Sequence, residues 1–146
     1  MKSAHVYEYN GNWYFRPYSQ TTAGVWVGMD SIAKLDAAAP DAEKGQIAIH
    51  ILEESSESLP HPTDWGDLDN DSLLRTAGAK SWAAFMKSAK CLAVDLENRQ
   101  LKIVPRKNLG PKDGYESMPE ESVKIPLDSP PQHIGIALED GLSRCR

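Results

Sequence analysis

The fold of this chain is decided by the stretch Cys91-Leu92-Ala93-Val94-Asp95-Leu96-Glu97-Asn98-Arg99-Gln100-Leu101-Lys102-Ile103-Val104-Pro105. Its two apolar runs surround four polar residues, and this arrangement predicts a β-hairpin. Residues 109–114 then predict a turn-rich loop, and residues 122–127 predict a further strand. Pro130 or Pro131 begins a closing amphipathic helix, because proline is preorganised for the first helical turn. Residues 91–146 are therefore committed to packing and contain nothing that resembles a catalytic motif.

The residues before this stretch predict further strands and helices. Ser81 can cap a helix, and four residues of that helix form one apolar stripe: Trp82, Phe85, Met86 and Ala89. Near the N-terminus, residues 5–9 and 13–18 flank Asn10-Gly11-Asn12, which predicts a second hairpin because Asn and Gly tolerate positive φ. Pro17 lacks a donor for the ladder, so its strand should end nearby or lie at an edge. Short strands are expected at residues 24–28 and 31–35, and a helix at residues 40–55.

The two halves of the sequence end in similar ways. Leu35-Asp36 leads through Pro40 into Gly45-Gln46-Ile47-Ala48, much as Leu127-Asp128 leads through the two prolines into residues 134–138. The sequence therefore predicts one α+β domain over residues 1–146, a mainly antiparallel β-sheet flanked by about three helices. It also suggests two similar hairpin, strand and helix units, residues 1–55 and 80–146, joined by an acidic loop at residues 56–72.

Composition bounds the class of protein. The chain has 146 residues, of which 40% are hydrophobic and 25% charged, as expected for one globular core. The N-terminus has no apolar signal region and the longest apolar-rich run is too short to span a bilayer, so we expect a cytosolic protein that does not bind membranes. In that reducing compartment we expect Cys91 and Cys145 to remain free thiols.

Negative charge is concentrated in one part of the chain. Residues 30–71 contain 11 acidic residues and only two lysines, a net charge of −9, so that the remaining residues sum to +4 of the total of −5. Such asymmetry affects the choice of partner and the rate of association more than it affects the fold.

The search for chemical motifs gives none with the required spacing. The four histidines lie far apart in sequence, and Asp67 to Asp71 begins like a calcium loop but has Ser72 where glycine is needed. No nucleophile elbow, P-loop or dinucleotide fingerprint is present. The sequence therefore predicts no enzyme, no metal site and no cofactor. A basic run offers only a weak nucleic-acid-binding face: Arg99, Lys102, Arg106, Lys107 and Lys112.

Several framework segments resemble the CdiI-type immunity proteins of bacterial contact-dependent growth inhibition. They are Trp82-Ala83-Ala84-Phe85, residues 91–97 and 101–105, Gly114-Tyr115-Glu116, and the tail from Pro126-Leu127-Asp128 through residues 134–138 to Leu142-Ser143-Arg144-Cys145. The resemblance covers residues 80–146 well and the first half loosely. It implies a cytoplasmic antidote that binds and neutralises the toxic C-terminal domain of a cognate CdiA protein, without identifying the toxin.

The charge distribution suggests where such a partner could bind. Many delivered toxins are nucleases with basic clefts, which an acidic loop can occupy. The predicted toxin-binding residues are Glu53, Glu54, Glu57, Asp64, Trp65, Asp67, Asp69 and Asp71, with Trp65 as the apolar anchor. Alternatively, the acids serve only solubility and Trp65 packs back onto the domain.

Two other classes of function stay open at this point. One is a small nucleic-acid-binding accessory protein or a small enzyme. The other is a structural domain that forms homodimers through an edge strand of the first hairpin.

Overall fold

The computed structural model describes residues 1–63 and 69–146 of the chain. Within these residues the chain forms eight strands and four α-helices in the order β1 (Lys2–Tyr9), β2 (Asn12–Gln20), β3 (Trp26–Gly28), β4 (Ala33–Asp36), α1 (Asp41–Glu53), α2 (Asp71–Ala77), α3 (Trp82–Met86), β5 (Lys90–Glu97), β6 (Gln100–Asn108), β7 (Tyr115–Ser117), β8 (Val123–Pro126) and α4 (Pro131–Arg144). A short 3-10 helix, Pro119–Glu121, precedes β8. The α+β class and the antiparallel sheet are confirmed.

The strands form one curled antiparallel sheet whose centre has the order β2-β1-β5-β6. At one margin β2 pairs with both β3 and β4, and at the other β6 pairs with both β7 and β8. Both predicted hairpins are confirmed. Their turns lie at Asn10-Gly11 and Asn98-Arg99, all four with positive φ, as two-residue hairpin loops require.

The expectation for Pro17 was wrong, because β2 continues past it to Gln20 and lies inside the sheet. β4 pairs with residues 12–15 and β3 with residues 18–20, so Pro17 lies in the gap between these two partners. Its carbonyl accepts a hydrogen bond from Met29 N (2.9 Å), and no ladder donor is needed from it at this position. Pro105 lies in the corresponding gap between the partners of β6.

One face of the sheet packs against α1 and α4. Alternate strand residues supply the buried side chains of this core, including Val6, Phe15, Leu92 and Ile103, and the helices add Leu52 and Leu138. The two helices approach closely at two glycines. A Cβ on Gly45 would collide with the carbonyl of Pro131, and one on Gly135 with the carbonyl of Asp41.

A buried lysine also joins the two helices. Lys44 of α1 is 2% exposed, its Nζ lies 4.3 Å from the centre of the Trp13 ring, and it donates to Glu139 Oε2 of α4 at 3.2 Å. This combination of a cation–π contact and an ion pair gives the buried ammonium the partners that it needs.

The opposite face of the sheet is covered in part by α2 and α3. Leu73 and Phe85 pack on Tyr7, Tyr14 and Cys91 to form a second, smaller core. The helix predicted at Ser81 is confirmed, with the Ser81 hydroxyl accepting from Ala84 N. Helix α2 was not predicted, because its first two residues belong to the predicted acidic loop and its seven residues are too few to show a clear helical period. None of the helices formed by the described residues is long and apolar enough to span a membrane.

Candidate functional site

The acidic segment, residues 53–71, is bound to the sheet at the end where it leaves α1. Ser56 N donates to Ser19 Oγ at 3.0 Å, and Gln20 N donates to Ser56 O at 2.7 Å. Glu57 forms an ion pair with the amino group of Met1. Three of the predicted site residues, Glu53, Glu54 and Glu57, are exposed around this point.

The other described end of the acidic segment is bound by Arg16 of β2. The Arg16 side chain is 2% exposed, and its guanidinium donates to Asn70 Oδ1 (2.7 Å) and to the carbonyl oxygen of Asp69 (3.0 Å). It also donates to the carbonyls of Gly28 and Met29. Arg16 therefore ties the start of α2 to the sheet. Asp69 Oδ1 accepts from Asp71 N, and both carboxylates are exposed.

Five of the predicted residues thus lie in two groups. Glu53, Glu54 and Glu57 lie where the acidic segment leaves α1, and Asp69 and Asp71 lie where it enters α2. The other three, Asp64, Trp65 and Asp67, lie outside the described residues. Neither their contacts nor the two alternatives for Trp65 are tested, and the acidic set as a whole stays a prediction.

A second candidate surface lies on the half of the sheet that α2 and α3 leave uncovered. We call this part of the sheet the open half. The strand register brings two rows of side chains together on it. One row is Tyr18, Ser3, Asp95 and Lys102, and the other is Arg16, His5, Ala93 and Val104. His5, Tyr18 and Asp95 were not predicted as site residues, because strand alternation alone does not tell which face of a sheet is covered.

The open half contains a cavity of about 310 Å³ lined by His5, Tyr18, Trp26, Asp95, Arg106 and others, including Met1. His5 and Tyr18 stack with their ring centres 3.9 Å apart, and the Ser3 hydroxyl donates to Asp95 Oδ1 at 2.6 Å. A neighbouring cavity of about 470 Å³ shares Met1 and Asp95 with the first and extends to Lys102 and Lys124. The two cavities adjoin at Met1 and Asp95, and together we call them the groove.

The acidic segment borders this groove at both of its described ends. Glu57 contacts Met1, which lines both cavities. Asp69 and Asn70 contact Arg16, whose guanidinium lies 5.6 Å from the centre of the Tyr18 ring. The acidic segment and the open half are therefore adjacent surfaces of the molecule.

Arg106 and Arg16 both influence the charge state of His5 at the wall of the groove. Burial, and then the positive charges of Arg106 and Arg16, hold the pKa of His5 well below its ordinary value, so His5 is neutral at physiological pH. Burial raises the pKa of Tyr7 well above its usual range, and its hydroxyl lies 3.1 Å from that of Tyr18. The groove therefore combines neutral hydrogen-bonding aromatic groups with fixed positive charge.

The arrangement suits binding better than covalent chemistry. Both cysteines are free and buried, and burial raises the pKa of the Cys91 thiol to about 12, which keeps it in the unreactive protonated form. Across residues 1–63 and 69–146, no group of three or more His, Cys, Asp or Glu side chains is placed to hold a metal ion.

The model of one family, CdiI, described as CDI immunity protein, matches residues 36–145 of this chain. No curated protein matches the sequence.

Two solved structures share the fold. One is a protein of unknown function from Neisseria meningitidis, with a TM-score of 0.82 and 20% identity, covering 99% of this chain and 95% of that chain. The other is a CdiA-CT/CdiI toxin and immunity complex from Yersinia pseudotuberculosis, with a TM-score of 0.77 and 19% identity, covering 99% of this chain and 97% of that chain.

Proposed function

The chain belongs to the CdiI family of CDI immunity proteins, and from this membership we propose that it binds and neutralises the toxic C-terminal domain of a cognate CdiA protein. The family match over residues 36–145 is the observation that carries the proposal. The fold shared with the chain from the Yersinia toxin and immunity complex supports it. We attribute the protection to binding alone, with no reaction performed by the side chains of the immunity protein, and we place this binding in the cytoplasm.

We further propose that the toxin is a nuclease with a basic substrate cleft. The net charge of −9 over residues 30–71 favours a cationic partner, because complementary charge accelerates encounter and suppresses wrong partners. The surface that would face the cleft is the acidic segment, with Glu53, Glu54, Glu57, Asp64, Trp65, Asp67, Asp69 and Asp71.

The described contacts support a role for this segment as a positioned surface. The β2 strand binds it on one side through Ser19 and Gln20 and on the other through Arg16. Segments whose ends are already fixed lose less conformational entropy on binding than free linkers do.

The proposal is tested with the toxin domain encoded beside this chain. The purified chain should form a stable complex with that domain and should protect cells that express it. Reversing the charges of Asp64, Asp67 and Asp71 to lysine should then slow association by about tenfold or more at low salt, with a smaller effect at high salt. Asp69 is left unchanged because it accepts a hydrogen bond from Asp71 N.

A matched control changes the same number of exposed acids elsewhere: Asp113, Glu116 and Glu120 to lysine. Its net charge equals that of the test variant, so a difference in on-rate reports position and not total charge. Equal on-rates for the two variants would reject the acidic segment as the interface. Failure of the unaltered chain to bind or protect would reject the function itself.

A further inference from the structure

Arg106 of β6 has more hydrogen-bond donors than its surroundings satisfy. Its guanidinium carries five N–H donors. Nη2 donates to the carbonyl of Tyr115 at 3.0 Å, and Nη1 makes a long contact of 4.0 Å with Cys91 Sγ. Its Nε is buried and has no hydrogen-bond partner within residues 1–63 and 69–146. Buried donors without partners are rare in folded proteins and need an explanation.

The position of Arg106 is fixed by its neighbours. Its guanidinium lies 5.7 Å from the centre of the Tyr115 ring, and the Tyr115 hydroxyl donates to the carbonyl of Ala89 at 2.9 Å. Asn108, on the same face of β6, donates to the carbonyls of Met86 and Ala89. The side chain is therefore held against the sheet at the wall of the 310 Å³ cavity.

The arginines near the cavity also lack an ion-pair partner among the residues that the structure describes. In the described part of the chain, no carboxylate lies within ion-pair distance of Arg106 or Arg16. The cavity's own acid, Asp95, accepts its hydrogen bond from Ser3. Burial and the two arginines hold the pKa of His5 low, so His5 is neutral and does not alter the charge balance.

We propose that this cavity is a carboxylate-binding site, in which the terminal Nη1 and Nη2 donors of Arg106 bind an acidic side chain of the toxin domain, while the buried Nε stays out of reach of the ligand. Planar guanidinium groups recognise planar carboxylates through parallel charge-assisted bonds, which are the strong class of hydrogen bond. The identity of the occupant as toxin rests on the proposed function. The carboxylate chemistry of the site does not, since it follows from Arg106 and the cavity.

The site is tested first on the free protein with acetate as the probe. In ¹⁵N-labelled protein, acetate at constant ionic strength should shift the Nε–H signal of Arg106 and the indole N–H signal of Trp26 in a saturable manner, whereas chloride should not. The indole of Trp13 is the internal control, because it donates to Glu8 Oε2 away from the cavity. Absence of a saturable acetate shift would overturn the site.

Variants then assign the effect to Arg106. Arg106→Gln should weaken acetate binding, followed at Trp26, by about tenfold or more, as the loss of charge-assisted bonds implies. Arg106→Lys keeps the charge but loses the planar donors, and should also weaken it. Lys107→Gln removes one charge from the next residue of the strand, outside the cavity lining, and should bind acetate as the unaltered chain does. Should either Arg106 variant fail to fold, the acetate titration of the unaltered chain still decides the question.

A second arm identifies the occupant. When the toxin domain encoded beside this chain is bound, acetate should no longer shift the Trp26 signal. Arg106→Gln should lower the affinity for the toxin by about tenfold or more relative to Lys107→Gln. Unchanged toxin affinity in Arg106→Gln would overturn the toxin as occupant and leave a site for small free carboxylates. If the chain bound no toxin at all, the proposed function would fail while the acetate result stood on its own.

Discussion

At the scale of single residues, the molecule keeps several polar side chains inside its sheet. Arg16 illustrates how: its guanidinium is nearly fully buried, yet it donates to four acceptors on two segments of the chain, residues 28–29 and 69–70. No role for Arg16 could be predicted from the sequence, because its acceptors are backbone carbonyls and an amide far from it in the chain. Residues of this kind become visible only when the fold brings their partners together.

His5 provides a prediction about pH. Its pKa in the folded chain lies well below 6.5 because of burial and the two arginines, whereas in the unfolded chain it is near 6.5. Below about pH 6.5 the unfolded state therefore binds more protons than the folded state. The free energy of unfolding should decrease as the pH is lowered, by at most about 1.4 kcal/mol per pH unit from this group. Above that pH the contribution is constant. Urea unfolding between about pH 7 and pH 5 measures the slope.

The variant His5→Gln tests this prediction, because it removes the imidazole and should reduce the slope in this pH range. Equal slopes in the unaltered chain and His5→Gln would mean that His5 is not the group responsible.

At the scale of secondary-structure elements, the sequence predicted what local patterns can specify. The Asn10-Gly11 hairpin turn, the Ser81 cap and the proline that starts α4 all depend on neighbouring residues, and each was confirmed. The continuation of β2 past Pro17 could not be predicted, because it depends on two separate strands, β3 and β4, that leave a gap beside the proline. The short strand β7 was missed for a similar reason, since it depends on pairing with β6.

The candidate site also has one part that the sequence predicts and one part that it does not. The acidic segment was found from charge alone, whereas the groove beside it depends on strand register and on the partial cover by α2 and α3. The register could in principle be inferred from the two hairpins, but the pairing of β1 with β5 joins residues about 90 positions apart and has no local signal.

Two glycines of α4, Gly135 and Gly141, should differ in how much stability is lost when each is replaced by alanine. Gly135→Ala would place a methyl group against the backbone carbonyl of Asp41, which cannot move without displacing α1. Gly141→Ala would instead meet Leu92 Cδ1 at 2.7 Å and Ile103 Cγ2 at 2.9 Å, the ends of side chains that can shift. We expect a loss of about 3 kcal/mol for Gly135→Ala and about 1 kcal/mol for Gly141→Ala, partly offset by the better helix propensity of alanine.

Denaturant unfolding of the two variants checks this order, with Ser143→Ala as a control on the exposed face of the same helix. A smaller loss for Gly135→Ala than for Gly141→Ala would show that the two helices can separate at little cost. That result would contradict the close approach of α1 and α4.

At the scale of the whole molecule, the two halves correspond element by element. In the first hairpin Ala4 faces Pro17, and in the second Leu92 faces Pro105, in each case 88 positions later (4 to 92, 17 to 105). Each half has a hairpin, two short strands paired with its second strand, and a helix. These relations support the proposal that residues 1–55 and 80–146 are similar units, with α2 between them and α3 added at the start of the second unit.

The two units share one sheet and one core, and this predicts how the chain responds to a cut between them. Seven residue pairs join β1 to β5, and α1 packs on α4 across the core that they share. We therefore expect that cleavage at a protease site introduced within residues 64–68 leaves one folded particle, of unchanged size by gel filtration. The amide NMR signals of residues 1–63 and 69–146 should be preserved. Cleavage makes unfolding bimolecular, so the unfolding midpoint should become dependent on protein concentration.

The same uncleaved variant is the control for the inserted site. Dissociation of the cleaved chain into two species, or loss of its dispersed spectrum, would show that the connection through residues 64–68 holds the halves together and not the sheet. Retention of both the particle and toxin binding would show that the acidic segment needs only its two anchored ends, at Ser19 and Arg16, to act as a surface. Toxin binding lost from an intact particle would instead assign the binding to the continuous segment.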